Sequence, residues 1–152
     1  MAERISTNAT TATRTLGALA LLVVGGLHYQ QYHYAFYSSI PTIGPLFLAN
    51  FIGATVLGLL LLAPVRAWLG RRGERLQQIA ALAGLGVAGG GLAALLISEQ
   101  APLFGFMEHG YRFAIVLAIA SDAAAVALLT MFLIRSRSTA RHRRPVVPVT
   151  EN

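Results

Sequence analysis

The chain contains no cysteine among its 152 residues. Disulfide bonds, thiolate nucleophiles, cysteine-ligated zinc and iron–sulfur clusters are therefore excluded. Lysine is absent as well, so all twelve basic residues are arginine, and charged residues make up only 12% of the chain. Soluble domains carry about 25% charged residues. With 55% hydrophobic residues, a chain of this size has too little polar surface for one soluble core, and we expect lipid to be its solvent.

Sequence motifs for common catalytic chemistries are also missing. The chain has no nucleophile elbow, phosphate-binding glycine loop with its lysine, or HExxH pattern. His28 and His33 are five residues apart, which places them about 140° apart on a helix, unlike the i,i+4 spacing of a helical metal pair. We therefore expect no enzymatic activity, no metal and no cofactor. Axial ligation of a haem iron by His33 and His109 is the alternative that these residues leave open.

Four hydrophobic segments dominate the chain, and each has the length of about 20 residues needed to cross a ~30 Å hydrocarbon core. Backbone polar groups must be satisfied within each segment in lipid, so the segments are predicted to be helices. Their short connections favour an up-down antiparallel bundle of four transmembrane helices, an all-α fold. We expect tails 1–14 and 135–152 to be disordered. The segments span about residues 15–37, 45–69, 76–97 and 111–134.

The arginines indicate how the bundle is oriented. Only Arg112 falls on one side of the predicted membrane, and the rule that positive loops stay inside then places both termini in the cytoplasm. Arginine without lysine, with abundant alanine and glycine, is typical of a GC-rich bacterial genome, so we expect a bacterial plasma membrane. The basic C-terminal tail would attract anionic lipid by about 1 kcal/mol per arginine, and we expect no nucleic-acid partner. The eleven arginines on the other side are Arg4, Arg14, Arg66, Arg71, Arg72, Arg75, Arg135, Arg137, Arg141, Arg143 and Arg144.

Asp122 is the one acidic residue well inside a hydrophobic segment. An ionised carboxylate in hydrocarbon is costly, so such residues are candidates for function. His28 lies at a similar predicted depth in the first segment, and the two side chains would meet if the first and fourth segments are neighbours. A structural hydrogen bond worth about 1 kcal/mol and a site that holds a proton or a solute are both open interpretations. A further polar layer predicted nearby comprises Gln31, Tyr32, His33 and Asn50.

Small residues in the segments predict close helix packing. In the third segment, Gly84 and Gly91 share one face with alanines, while Gly86 and Gly90 share a roughly opposite face. We therefore expect this helix to pack against other helices on both sides, and we expect Gly53 to do the same in the second segment. A homo-oligomer interface is the alternative for these faces.

Two short motifs resemble an uncharacterised family of small four-helix integral membrane proteins of actinobacteria. The resemblance covers about residues 16–134 and implies the four-helix fold, but it implies no activity. In the last helix this chain has Asp122 where the family pattern would have glutamate, so the carboxylate is kept. The motifs are Ile40-Pro41-Thr42-Ile43-Gly44-Pro45-Leu46-Phe47-Leu48-Ala49-Asn50 and Phe104-Gly105-Phe106-Met107-Glu108.

These patterns leave three classes of function. A non-enzymatic accessory or partner subunit is favoured by the short loops, the missing catalytic motifs and the small-residue faces. A proton-coupled carrier or channel for a small solute is the alternative suggested by Asp122 and His28. A membrane enzyme or redox protein that uses the polar layer of histidine, tyrosine and glutamine is the third.

Overall fold

The computed structural model describes residues 2–108, 110 and 112–142. Within these residues the chain is helical, apart from the turns that join the helices. The helices are α1 (Ala2–Tyr34), α2 (Ile43–Leu62), α3 (Val65–Leu69), α4 (Arg71–Ser98) and α5 (Phe113–His142), with a short 3-10 helix at Tyr37–Ser39 between α1 and α2.

Four of the described helices, α1, α2, α4 and α5, are long and apolar enough to cross a membrane. Large apolar side chains cover their outer surfaces, as a lipid-facing bundle requires. The predicted all-α four-helix fold is confirmed, and the chain is a small multi-pass membrane protein. Examples of these outward side chains are Leu19, Val56, Ile79, Leu82 and Val116.

The four long helices pack in a square. α1 lies against α2 and α5, and α4 lies against the same two helices, while α1 and α4 face each other across the diagonal and touch only narrowly. Because consecutive long helices run in opposite directions, α1 begins and α5 ends at the same end of the bundle, which we call the termini end. The short α3 lies at this end, and the connections that follow α1 and α4 lie at the other, which we call the loop end.

The centre of the bundle is made of small and aliphatic residues. Leu21, Val24, Leu61 and Leu129 are fully buried there, among alanines from all four long helices. Gly84 on α4 permits this packing, since a Cβ at that position would lie 2.7 Å from Leu21 Cδ1 and 3.2 Å from Leu129 Cδ1.

The second hydrophobic segment is not one helix, as the sequence predicted, but two. Pro64 lacks a backbone N–H and disfavours helical geometry in the residue before it. Ala63 is accordingly extended, with φ −60° and ψ 144°, and α3 starts in a new direction after it. The side-chain Nε2 of Gln77 on α4 donates to the carbonyl oxygen of Ala63 at 3.2 Å, which satisfies a backbone group that the break exposes.

Glycines hold α3 close to the start of α4. A Cβ on Gly73 would collide with the carbonyl oxygen of Val65, so only glycine allows α3 to lie directly on α4. Gly70 alone separates α3 from α4 and has a positive φ of 53°, a conformation that glycine adopts at little cost. The loop expected at residues 70–75 is therefore reduced to one residue.

Both ends of the chain are more helical than the sequence suggested. Residues 2–14, expected to be disordered, form the start of α1. α5 continues through residues 135–142, which were assigned to the C-terminal tail. The rest of that predicted tail, residues 143–152 with Arg143 and Arg144, lies outside the described residues.

Candidate intramembrane binding site

Asp122 is buried on α5 at a point where the other three long helices also contribute. Its side chain is 1% exposed. Directly opposite is Gly91 on α4, and a Cβ placed on Gly91 would lie 3.6 Å from Asp122 Oδ2, 3.1 Å from Asn50 Nδ2 and 3.8 Å from His28 Cε1. The missing side chain of Gly91 therefore leaves a space where polar groups of α1, α2 and α5 meet.

This space belongs to a cavity of about 130 Å³, which we call the Asp122 cavity. It extends from Asp122 toward the loop end and is lined mostly by apolar groups, among them Leu27, Phe47 and Ile115. A mainly apolar pocket with a few convergent polar groups is the usual form of a small-molecule site. The polar residues that line it are His28, Gln31, Tyr37, Asn50, Ser98, Glu108 and Asp122.

Three oxygens of the cavity's polar residues lack a hydrogen-bond partner among the described residues. These are Asp122 Oδ1, Asn50 Oδ1 and Gln31 Oε1, and each is buried. A buried polar atom without a partner costs about 1–3 kcal/mol, and such atoms in a native structure require an explanation. All three accept hydrogen bonds when Asp122 is ionised, so a group rich in N–H or O–H donors would complement the cavity.

The histidine at the inner end of the cavity is oriented by its own helix. His28 Nδ1 lies 2.9 Å from the carbonyl oxygen of Val24, and since a carbonyl only accepts, Nδ1 carries a proton. In the neutral ring, Nε2 is then the acceptor. The ring also packs on Phe47, with centroids 5.1 Å apart. His28 and Asp122 both line the cavity but form no direct hydrogen bond within the described residues.

An ion pair between the buried Glu108 and the exposed Arg112 lies at the loop end of the cavity. Glu108 is 7% exposed and accepts hydrogen bonds from the Tyr37 hydroxyl and from Arg112, whose Nη2 lies 2.9 Å from Glu108 Oε1. Arg112 also donates to the Tyr37 oxygen at 3.0 Å. Tyr37 stacks on Phe47 at 4.8 Å and meets the edge of Phe106 at 5.4 Å. Side chains from three parts of the chain are thereby joined over the cavity.

This cluster fixes the protonation of Tyr37. Burial raises the pKa of Tyr37 to about 12, and the hydrogen bond to Glu108 and its negative charge act in the same direction, against the opposing effect of Arg112. The hydrogen bond to Glu108 also raises the pKa of Arg112. At neutral pH the tyrosine is therefore a neutral donor, and the arginine is a cation.

The backbone between α4 and α5 explains how Glu108 reaches its partners. Leu103 and Phe106 exchange two backbone hydrogen bonds of 2.7 and 3.0 Å around Phe104 and Gly105, whose φ values of 52° and 79° are those of a tight type I′ turn. The Glu108 N–H then donates to the carbonyl oxygen of Ser98 at 3.0 Å. The turn brings Phe106 against Tyr37 and places Glu108 under the aromatic rings.

The chain matches no known protein-family model, no curated protein and no solved structure. The resemblance to an actinobacterial family therefore stays a prediction.

The structure brings together four of the six polar residues selected from the sequence. His28, Gln31, Asn50 and Asp122 line the Asp122 cavity, because α1 and α5 are neighbours, as their predicted contact requires. Tyr32 and His33 do not line it.

His33 is exposed and stacks on Tyr29, with ring centroids 5.8 Å apart. It points away from the Asp122 cavity because it lies about 140° round α1 from His28. His109, the second histidine of the haem alternative, lies outside the described residues.

The predicted packing glycines divide into two groups. Gly84 and Gly91 face the bundle, and Gly53 on α2 makes an ordinary contact with Val87, at 3.6 Å from its would-be Cβ. Gly86 and Gly90 differ from the expectation: both are exposed, and a Cβ on either would meet nothing within 4 Å. No residue that the structure describes therefore covers the second small-residue face of α4, because α2 and α5 both lie on its other side.

Neither Tyr37 nor Glu108 was among the site residues predicted from the sequence. The sequence did contain a signal for the ion pair: Glu108 and Arg112 have opposite charges and lie four residues apart, and Arg112 is the one arginine predicted at this end. Tyr37 gave no comparable signal. Its role depends on the turn after α1, where Phe36 adopts a positive φ of 62°.

Proposed function

We propose that this protein binds a small alkylammonium-type cation in the Asp122 cavity and carries it across the membrane in exchange for a proton. The observation that carries the proposal is the fully buried carboxylate of Asp122, whose Oδ1 has no hydrogen-bond partner in the part of the chain that the structure describes. Two further oxygens of the same cavity, on Asn50 and Gln31, are in the same situation. The proposal assigns no covalent chemistry to the chain, which would be a transporter of the bacterial plasma membrane and not an enzyme.

The chemistry of the cavity supports a ligand with several N–H donors. An ammonium group has three donors and no acceptor, which complements the oxygens of Asp122, Asn50 and Gln31. Each bond to an ionised partner contributes about 1.5–3 kcal/mol, enough to offset part of the cost of dehydrating the cation. The apolar walls would contact a short hydrocarbon group.

The volume of the cavity limits the ligand to a small one. At about 130 Å³, the Asp122 cavity is slightly smaller than an engineered protein cavity of about 150 Å³ that holds benzene. A cation with about six heavy atoms or fewer fits, whereas a drug-sized molecule needs a pocket of about 300–1,000 Å³.

Exchange with a proton follows from the cost of charge in lipid. An ionised carboxylate there is expensive unless it is neutralised, so Asp122 would hold either a proton or the cation. When the cation binds, the proton leaves Asp122, and one positive charge replaces another. Nε2 of His28, an acceptor in the same cavity, would receive the proton on its way out. The apparent reaction is a one-for-one antiport.

Methylammonium is the probe for a direct test. Purified protein in weakly buffered detergent is mixed with methylammonium, and a pH indicator measures the protons released. Protein in liposomes is then tested for uptake of radiolabelled methylammonium driven by an imposed pH gradient.

We expect Asp122→Asn to abolish proton release and to lower uptake at least tenfold. Ser121→Ala is the matched control, because Ser121 is also buried but its hydroxyl bonds only within its own helix, to Ala118. Equal uptake by wild type and Asp122→Asn would remove Asp122 from coupling.

A second candidate function, an accessory or partner subunit, is favoured by the uncovered face of α4. Gly86 and Gly90 lie four residues apart with open space outside them, a pattern that lets another transmembrane helix approach closely. We expect a tagged chain to recover a membrane protein from native membranes, and Gly90→Ile to lose it, while the exposed Leu96→Ile retains it. A wild-type chain that always isolates alone would exclude this function.

A further inference from the structure

A second cavity lies at the termini end, far from Asp122. Its volume is about 500 Å³, several times that of the Asp122 cavity. α1 contributes Thr11 and Arg14, α3 contributes Arg66, and α4 contributes Glu74. Apolar groups, including Phe132 of α5, complete the walls. We call it the arginine cavity.

The two arginines line the same cavity. Arg14 and Arg66 are close enough to repel each other. Neither forms an ion pair with any side chain that the structure describes, although Glu74 lines the same cavity. Arg14 is half-buried, where an uncompensated guanidinium is more costly than at the surface. Two positive charges against one negative charge leave a net attraction for an anion.

The donors in the arginine cavity fit a phosphate group in particular. Guanidinium groups bind phosphate oxygens through two parallel N–H donors, and the arginines approach from different helices, α1 and α3. Thr11, whose hydroxyl is a further possible donor, also lines the cavity. The phosphodiester of a phospholipid carries one negative charge on two free oxygens, and each free oxygen can accept a hydrogen bond from a different guanidinium group.

The surroundings indicate that the phosphate is carried by a lipid. Trp68 on α3, two residues after Arg66, is 70% exposed, and tryptophan is enriched at the depth of lipid headgroups. The cavity combines its arginines with apolar walls that include Pro64 and Phe132, as an amphipathic ligand requires. We propose that the arginine cavity is a binding site for the phosphate group of an anionic phospholipid headgroup.

Native mass spectrometry of the full-length protein in a neutral detergent tests this site. The protein is titrated with phosphatidylglycerol, with phosphatidylcholine, and with inorganic phosphate. We expect phosphatidylglycerol to bind at least several-fold more tightly than phosphatidylcholine, and Arg14→Gln combined with Arg66→Gln to weaken it about tenfold or more, since each nearby arginine contributes about 1 kcal/mol. The matched control combines Arg75→Gln with Arg137→Gln, which removes the same charge from exposed positions outside the cavity.

Further variants keep the test decisive even if the double variant folds poorly. Arg66 is exposed, so Arg66→Gln alone disturbs no buried packing. We expect this variant to bind phosphatidylglycerol severalfold more weakly than the wild type. Glu74→Gln removes the acidic residue that lines the arginine cavity, and we expect it to increase the affinity for phosphatidylglycerol by a factor of two or more. A purely structural role for these residues would not produce this increase.

Three results would overturn the proposal. One is equal affinity of the wild type for phosphatidylglycerol and phosphatidylcholine. Another is an equal loss of affinity for phosphatidylglycerol in both double variants, which would show that only the overall charge of the protein matters. The third is inorganic phosphate binding as tightly as phosphatidylglycerol, which would assign the site to a free anion instead of a lipid.

Discussion

Asp122 and Gly91 face each other where α5 packs against α4, and a Cβ on Gly91 would lie 3.6 Å from Asp122 Oδ2. The same Cβ would be 3.1 Å from Asn50 Nδ2, closer than ordinary van der Waals contacts. The absent side chain therefore holds open the inner end of the Asp122 cavity, which makes Gly91 the residue that decides how much room a ligand has.

Gly91→Ala is expected to weaken methylammonium binding at least tenfold, because the added methyl group fills the space beside Asp122. Gly89→Ala is the matched control on the same helix: its Cβ would lie 3.9 Å from Val126, an ordinary contact. Both variants gain a similar helix propensity of about 1 kcal/mol, so any difference between them reports on the cavity. Isothermal titration of the two purified variants measures it, and equal affinities would show that the ligand does not occupy the space beside Gly91.

Replacing Asp122 with an apolar residue is predicted to raise stability and to abolish transport. Because Oδ1 is buried and has no partner among the residues that the structure describes, Asp122→Leu removes an unsatisfied polar group and adds apolar atoms next to a cavity. We expect the variant to be more stable by about 1–3 kcal/mol, measured by thermal unfolding in detergent, while methylammonium uptake is lost. The control Ser121→Ala should change stability by less than about 1 kcal/mol. A large loss of stability in Asp122→Leu would instead make Asp122 a structural link between helices.

The sequence predicted the bundle because each long apolar run has to form a helix in lipid, whatever its neighbours are. It also predicted that Asp122 and His28 lie at similar depth, since depth follows from counting residues along a helix. The break after Ala63 was missed although Pro64 marks it, because the hydrophobic run continues through the proline.

The closure of the Asp122 cavity was beyond the reach of sequence patterns. The bond between Tyr37 and Glu108 joins residues 71 positions apart and depends on two irregular turns with positive φ values. The sequence also did not indicate which small-residue face of α4 would be buried, because the faces of Gly84 and Gly86 have similar composition. The square arrangement of the helices buries the face of Gly84 and exposes that of Gly86.

Tyr37→Phe is expected to destabilise the protein by about 1–3 kcal/mol near neutral pH, because the buried Glu108 carboxylate loses a donor. The folded pKa of about 12 exceeds the unfolded value of about 10. The contribution of the hydroxyl is therefore fully present below about pH 10 and is lost as pH rises through 12.

Unfolding free energies of wild type and Tyr37→Phe, compared between pH 7 and pH 11, measure this contribution. Tyr34→Phe, which alters an exposed tyrosine, should leave stability unchanged across the range. A destabilisation by Tyr37→Phe that grows above pH 10 would contradict the assignment of the hydroxyl as donor.

Two glycine-to-alanine changes on α4 are expected to have opposite effects on the free energy of unfolding. At Gly73 a Cβ would collide with the Val65 carbonyl oxygen, so Gly73→Ala must displace α3 and is expected to cost more than about 2 kcal/mol. Gly86→Ala meets open space and should stabilise the helix by up to about 1 kcal/mol. Thermal unfolding in one detergent compares them. Equal effects would show that α3 does not lie on α4 as the structure has it.

The orientation of the bundle can be tested directly, because the chain has no cysteine of its own. Ser39→Cys, Arg72→Cys and Ser138→Cys each place one thiol at an exposed position, the first at the loop end and the others at the termini end. The arginine distribution predicts that a membrane-impermeant maleimide labels Ser39→Cys in intact cells and the other two only in inverted vesicles. The reverse pattern would make the positive-inside assignment wrong, but would keep the four spans. Labelling of Arg72→Cys and Ser138→Cys from different sides would contradict the bundle itself, because α4 and α5 together must return the chain to the side on which α4 begins.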